Sequence, residues 1–571
     1  MTQTRPWLRF YGNTPHSLSY PEITLYQAVA ATALRVPETI AWDFLDTTST
    51  YRAFLASIDT CANALAALGL AAGERILISM PTSPQGVIAF YAANKLGALP
   101  ALIHPLSTAP EIEHYLNASR ARIALTLDAF YERFAATKPK LPLEKLILAR
   151  IPDYLSPLKK FGFWLSKGRK IPKVPADARV HWWSELMARQ YPAVARSSAG
   201  THDPAAILFS GGTTGLPKGI VLSNRNFIAE GMQAAAWGGM REGDSILAVL
   251  PIFHGFGLGV CVNAAFMAGG TSILVPMFSA EIVAKLLRTK RPNLLVGVPT
   301  LYDALTRDPS LAKADLSCLR ATFSGADTLP RPVKERFEKL VAERGGRVKL
   351  LEGYGLTEAV TAIMATPLDE YREGSIGIPF PDMLAKICRA GTGETLPPGE
   401  EGEICVSGPA VMLGYLDDAQ ATRETLRQHA DGRIWLHTGD LGKMDADGFF
   451  YFTVRQKRMI KSSGFNVYPA QVEAVLYKHP LVAEACVAGI PDPAQVERVH
   501  AFVVLKDPGL ANADTERALI EHCRAQLIKW SCPRAIEFRA ELPKTRVGKI
   551  DYRSLVQEHA ARPVNQTPAA G

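Results

Sequence analysis

Clustered cysteine is absent: the eight cysteines of this 571-residue chain are scattered and none forms a CxxC pair. Neither a zinc module nor a secreted disulfide framework is expected, and a reducing, cytoplasmic setting is the default. An amino-terminal secretory signal is also missing, since MTQTRPWLRFYGNTPHS holds no apolar core leading to a cleavage site. There is no internal repeat, and only the tail Pro563 to Gly571 reads as disordered. Excess positive charge is small: Lys+Arg 63 against Asp+Glu 55 leaves +8. That is too weak to indicate nucleic acid, but it suits phosphate-bearing small molecules or an anionic membrane surface. Disordered and fibrous readings fail as well, because 47% hydrophobic and 21% charged residues describe a chain that buries a core. Its length suggests more than one folding unit.

Charge is missing locally too. From Ser245 to Ala280 no acidic or basic side chain occurs except His254, a length that nominates a membrane span. Pro251, Gly255, Gly257, Gly259, Gly269 and Gly270 interrupt it, so a buried strand, loop and helix is the expectation. Elsewhere short β-branched runs alternate with helical patterns: Ile76 to Met80 then Pro84 to Ala98, followed by Ala205 to Phe209, Leu294 to Val298, Ala321 to Ser324 and Val348 to Leu351. Such alternation predicts stacked α/β layers. Between about 376 and 453 the texture changes to short strands, with a hairpin predicted where Asp445-Ala-Asp-Gly448 precedes Phe449 to Phe452. Beyond Arg455, a helix at Pro469 to Lys478, a strand at Ala501 to Leu505 and a helix near Asp514 to Ile528 predict a separate α+β domain.

The segment Ile207-Leu-Phe-Ser210-Gly211-Gly212-Thr213-Thr214-Gly215-Leu-Pro217-Lys218-Gly219 runs an apolar strand into glycines, threonines and a lysine. Glycines let backbone amides close on phosphate oxygens, while hydroxyls and an ammonium complete the cradle. It is not a Walker A loop, because Lys218 stands between Pro217 and Gly219 where that motif needs glycine and a hydroxyl residue. Taken alone, a flexible glycine loop after a strand is the competing reading.

Four more segments follow: Gly353-Tyr354-Gly355-Leu356-Thr357-Glu358, Thr438-Gly439-Asp440, Arg455-Gln456-Lys457 and Pro543-Lys544-Thr545-Arg546-Val547-Gly548-Lys549. In this order the five resemble the motif set of the acyl-adenylate-forming superfamily, which includes acyl-CoA synthetases, peptide-synthetase adenylation domains and beetle luciferases. The resemblance runs from about Leu25 to Leu555. It implies an α/β fold with a large amino-terminal domain of layered sheets and helices, including a small β subdomain, over residues 1–454. A hinge at 455–457, with Lys457 at the family's hinge position, would lead to a mobile α+β carboxy-terminal domain over 458–571.

The implied chemistry uses ATP, Mg2+ and coenzyme A. A carboxylate attacking the α-phosphorus of ATP brings two anions together, so the barrier is mainly electrostatic. By resemblance, Ser210, Gly211, Gly212, Thr213, Thr214, Gly215 and Lys218 hold the outgoing phosphates. Thr357 and Glu358 reach the α-phosphate and the metal, Tyr354 lies against adenine, and Gly325 belongs to the same binding site. Asp440 follows a turn that can aim a carboxylate at vicinal hydroxyls, and the resemblance makes it the ribose grip, with Arg455 as a second ribose contact. Lys549 is implied as the adenylation lysine, bridging acyl carboxylate and α-phosphate. Gly464 resembles the glycine past which the pantetheine arm of coenzyme A threads once the small domain has turned.

In the family the acyl pocket is lined largely by residues between the first two motifs. Here these include His254, at the gate-histidine position, then Val260 to Met267, Val298 to Thr300 and Ser324 to Asp327. With no acid between Ser245 and Ala280 to meet an α-ammonium, an apolar acid is expected rather than an amino acid. Gly211, where most members have serine, resembles bacterial long-chain fatty acyl-CoA ligases. Between Tyr154 and Val174, Lys159, Lys160, Lys167, Arg169, Lys170 and Lys173 interleave with Phe161, Phe163, Trp164 and Leu165 without an acid. That texture suits an anionic bilayer surface, with a solvated loop as the alternative. The expectation is a medium- to long-chain fatty acyl-CoA synthetase, with peripheral attachment at the inner face of the membrane. The alternatives are an acyl-AMP ligase loading a carrier protein, a CoA ligase for an aromatic or short-chain acid, and a non-enzymatic nucleotide-binding relative. No terminal carrier module is evident, and Lys549, Asp440 and Glu358 disfavour the last of these.

Overall fold

Apolar runs too short for helices become buried strands in two large, mostly parallel sheets. The computed structural model describes residues 5–166, 168–209, 217–277, 279–455, 458, 460–462, 465–467, 469–492, 496–527, 531–545 and 550–561, with the side chains of 455, 461, 462, 465, 466 and 496 outside it. In the nine-stranded sheet Ile40–Phe44, Thr271–Leu274, Ser245–Ala248, Leu294–Gly297, Ala321–Ser324 and Leu350–Gly355 run parallel, with antiparallel strands at both edges. The eight-stranded sheet is parallel through Pro204–Phe209, Leu99–Leu102, Arg75–Ser79, Ile123–Leu127, Lys145–Ala149 and Val180–Trp182. Gly219–Ser223 returns antiparallel beside Pro204–Phe209.

Parallel neighbours need crossover helices. The helix Pro84–Lys95, buried along its whole length, packs on Arg75–Ser79 and Leu99–Leu102. Its Tyr91 hydroxyl bonds Asn263 Oδ1 at 3.1 Å, tying it to the other sheet's connections. A helix buried on every side, mostly apolar but with Gln85, Asn94 and Lys95 also enclosed, is what such a seam requires. It stops short of the expected Ala98, because Gly97 turns the chain at φ 71. The expected strand at 348–351 instead spans Leu350–Gly355 and carries Tyr354 at its end.

The uncharged stretch folds as strand Ser245–Ala248, a loop, a π-helix Phe256–Asn263 running into Ala264–Ala268, and strand Thr271–Leu274. Among the described residues no helix is long and apolar enough to cross a membrane. The small antiparallel sheet contains Leu384–Cys388, Glu401–Ser407, Leu426–Gln428, Ile434–Met444 and Phe450–Arg455, the last two joined by the predicted hairpin. Beyond it, Val496–Leu505 is the central strand of a separate sheet, with Val482–Asp492 antiparallel along one side of it. Alternate side chains of these strands face opposite ways. Val487 and Ala501 meet the helices Pro469–Lys478 and Ala513–Arg524, whereas Cys486 and Phe502 meet the closing helix Tyr552–Ala561. The second of these helices ends at Arg524 rather than near Ile528.

Candidate functional site

The carboxyl ends of the parallel strands converge on one cavity of about 2490 Å³, where open α/β sheets bind ligands. Strand Ser245–Ala248 leads to His254, Leu294–Gly297 to Val298 and Thr300, Ala321–Ser324 to Gly325, and Leu350–Gly355 to Thr357 and Glu358; all of these lead-off residues line it. The small sheet adds Asp440, and the carboxy-terminal domain adds Arg458, Lys544 and Thr545. His254 Nδ1 accepts from the Phe256 N–H at 3.1 Å, which fixes its ring at the mouth of the π-helix.

Asp440 is only 1% exposed. Its Oδ2 accepts from the Tyr354 hydroxyl at 2.7 Å, joining two motifs from different sheets. The turn before it is clamped by Glu403, whose Oε1 accepts from the Gly439 N–H at 3.0 Å and whose Oε2 lies 2.8 Å from His437 Nδ1. Burial, the largest single influence, would raise the Glu403 carboxyl, but the hydrogen bond and charge of His437, the Gly439 N–H and the Arg427 charge together hold it below its ordinary value. Arg455 stands opposite Asp440 in the antiparallel pairing, with its side chain outside the described residues. Glu403 and His437 were not singled out by sequence; the adjacency of His437 to Thr438 was the one available signal.

Glu358 sits in the single turn Thr357–Ala359. The chain reverses there through Val360 at φ 62, so the Leu356 N–H bonds Thr361 O at 2.8 Å. Only glycine fits at 355, where a Cβ would lie 1.6 Å from Thr361 O. The Tyr415 hydroxyl donates to Glu358 Oε1 at 2.9 Å, and Lys218 Nζ lies 5.2 Å from the centre of the same ring while pairing with Asp418 at 3.0 Å. Tyr415, which sequence alone did not flag, therefore links the lysine of the glycine loop to the candidate metal carboxylate. A carboxylate on the cavity wall backed by a phenol rather than a cation is a hard oxygen ligand of the type magnesium takes, so the residues present fit that ion.

Ser210, Gly211, Gly212, Thr213, Thr214, Gly215, Lys457, Gly464 and Lys549 lie outside the described residues. Their neighbours are informative: Phe209, Pro217 and Lys218 flank the first loop, Thr545 and Ile550 flank residues 546–549, and all line the cavity. The other lysine of the last motif, Lys544, pairs with Glu484 at 3.0 Å.

The uncharged stretch does meet an acid, which arrives from another element. Glu230, on helix Asn224–Trp237, is fully buried, and a Cβ at Gly259 of the π-helix would lie 2.5 Å from its Oε2. Neither carboxylate oxygen makes a well-formed hydrogen bond among the described residues, the Ala362 N–H being its one polar neighbour of any influence. Ala234, Trp237 and Gly238, one and two turns further along the same helical stripe, line the cavity. Burial pushes the Glu230 carboxyl far above its ordinary value, with the Ala362 N–H pulling more weakly the other way. Glu230 is not among the residues that line the cavity, and burial disfavours its charged form, so it supplies no counter-ion for an α-ammonium. When the chain unfolds this group ionises in the ordinary carboxylate range, whereas burial shifts the folded group toward its protonated form. Parent stability should thus fall as pH rises, by up to about 1.4 kcal/mol per pH unit. In urea titrations between about pH 5 and 8, the midpoint of Glu230→Gln should gain steadily on the parent's. A gap that does not widen would mean that the carboxyl ionises inside the fold.

Strand-end loops of two parallel sheets, a buried carboxylate bonded to a tyrosine and residues of the carboxy-terminal domain share one cavity, which is the arrangement of an α/β ligand-binding enzyme. The chain belongs to the AMP-binding enzyme family, which matches residues 29–416, and the AMP-binding enzyme C-terminal domain matches residues 471–549. It is 37% identical to a long-chain-fatty-acid--CoA ligase of Bacillus subtilis (strain 168), over 98% of this chain and 99% of that protein. Among solved structures it resembles ATP-bound MatB from Rhodopseudomonas palustris, at 26% identity and TM-score 0.81 over 94% of this chain and 99% of that one. The anthranilate CoA ligase AuaEII in complex with anthranoyl-AMP is similarly close, at 26% identity and TM-score 0.82 over 95% and 99%. The protein is an AMP-forming acid–CoA ligase, using ATP and coenzyme A and passing through an acyl-adenylate.

Proposed function

We propose that the acid is a medium- to long-chain fatty acid, activated to acyl-AMP with release of pyrophosphate and then transferred to coenzyme A. The observation that carries this is the set of apolar side chains that line the cavity together with His254, namely Ala234, Trp237, Phe256, Val260 and Val298. The name borne by the Bacillus subtilis relative supports it.

In this reading Asp440, with Arg455, holds the ribose, and Tyr354 and Gly325 bound the nucleotide site. Residues 210–215 and Lys218 hold the departing phosphates; Lys218 would exchange Asp418 for phosphate oxygen. Thr357 would reach the α-phosphate and Glu358 would hold Mg2+, which when bound supplies positive charge against the phosphates. Lys549 neutralises the carboxylate and α-phosphate as they meet, and His254 gates the acyl site. We place the division between the domains at 455–457, so that residues 458–571 turn about Lys457 and bring Gly464 to the pantetheine path.

Pyrophosphate release and acyl-CoA formation measured across acids from acetate to stearate test the substrate. Each methylene buried contributes about 0.8 kcal/mol, so kcat/KM should rise about fourfold per added methylene until the pocket is filled. Highest efficiency on acetate, or on benzoate with no response to aliphatic length, would exclude the fatty acid while leaving acid–CoA ligation intact.

A further inference from the structure

The helix Pro157–Ser166 is built inside out. Lys159 and Phe163, four residues apart and so on one face, turn inward. Lys159 Nζ donates to Leu45 O at 2.6 Å and pairs with Asp46, while Phe163 packs on the main core. The opposite face carries Leu158, Phe161, Trp164 and Leu165, which are 82%, 59%, 50% and 48% exposed. No other four exposed large apolar side chains among the described residues lie so close together in sequence. Phe161 and Trp164 stack with ring centres 6.0 Å apart, and the Arg169 guanidinium covers Trp164 at 4.2 Å. Lys160, Arg169, Lys170 and Lys173 are exposed around this face, and no acid occurs from Tyr154 to Ala176.

A contiguous apolar face on a helix pinned by its polar side is a surface that expects a cover. Cations without a compensating acid select a negatively charged cover, and a tryptophan beside an arginine suits a bilayer's headgroup level. We propose that helix Pro157–Ser166 is an interfacial anchor that seats the enzyme on an anionic lipid bilayer. Leu158, Phe161, Trp164 and Leu165 enter the boundary between headgroups and acyl chains, and Lys160, Arg169 and Lys170 meet the lipid phosphates. Lys159, which composition alone would count among the lipid contacts, is committed to Asp46. This goes beyond the catalytic reading and does not depend on which acid is activated.

Sedimentation with vesicles of phosphatidylcholine and phosphatidylserine in equal parts tests it on the full chain. The parent should bind these vesicles at low salt, bind phosphatidylcholine vesicles poorly, and be released as salt shortens the screening length to about 10 Å and below. The Lys160→Gln/Arg169→Gln/Lys170→Gln variant should bind about fivefold more weakly per charge removed. Leu158→Ser/Phe161→Ser should lose binding even at low salt. Brominated lipid should quench part of the parent's tryptophan emission, and Trp164→Phe should lose that part. All variants should form acyl-CoA from a soluble medium-chain acid at the parent's rate. The proposal is overturned if the parent does not sediment, if Leu158→Ser/Phe161→Ser sediments like the parent, or if quenching is unchanged in Trp164→Phe. A lipid-free parent dimer that Leu158→Ser/Phe161→Ser dissociates would also overturn it, by assigning the face to a second copy of the chain.

Discussion

Replacing Lys549 by alanine is expected to slow acyl-AMP formation by about 10²- to 10³-fold, while transfer from preformed acyl-AMP to coenzyme A stays within a few-fold of the parent. The asymmetry follows from where charge concentrates. Only in adenylation do an incoming carboxylate and the α-phosphate share negative charge that an ammonium can neutralise, and an interaction made only in that transition state lowers only that barrier. Lys544 does not replace it in this account, because its ammonium already pairs with Glu484. Pyrophosphate exchange measures the first half-reaction, and acyl-CoA formation from synthetic acyl-AMP measures the second. Near-parental exchange in Lys549→Ala would show that the lysine has been assigned the wrong role.

The second large effect is expected at Asp440. Truncation to alanine removes a buried carboxylate that accepts from Tyr354 and follows the Gly439 turn, and with it the charge-assisted bonding to ribose proposed for Asp440. At about 1.5–3 kcal/mol for such bonds, kcat/KM for ATP should fall by about 10²-fold, mostly through KM. Tyr354→Phe keeps the aromatic surface and loses only the hydroxyl that orients Asp440, so it should cost no more than about tenfold. Steady-state kinetics with ATP varied at saturating acid separate the two. Equal losses in both variants would mean that the tyrosine hydroxyl, rather than the carboxylate, makes the decisive contact; an unchanged KM for ATP in Asp440→Ala would remove the ribose assignment.

Glycine, proline and apolar periodicity settle structure locally, and here they sufficed for the α/β class, the hairpin at Asp445 and the helix Pro469–Lys478, while the family was legible through the resemblance of its five ordered motifs. The ordered motifs could be read because each keeps its chemistry within a few consecutive residues. Other features depend on residues far apart in the chain. Tyr354 and Asp440 come from different sheets, Tyr415 reaches Glu358 across 57 positions, and Glu403 holds the Gly439 turn from a neighbouring strand. Composition likewise marked the segment 154–174 as basic and aromatic, but only its packing turned Lys159 inward and the apolar side chains outward. Sequence determined that the stretch Ser245 to Ala280 carries no acid of its own. Tertiary structure alone decided that Glu230 would be buried against it, because a carboxyl's neighbours, and therefore its charge, are set by which helices pack together rather than by adjacency along the chain.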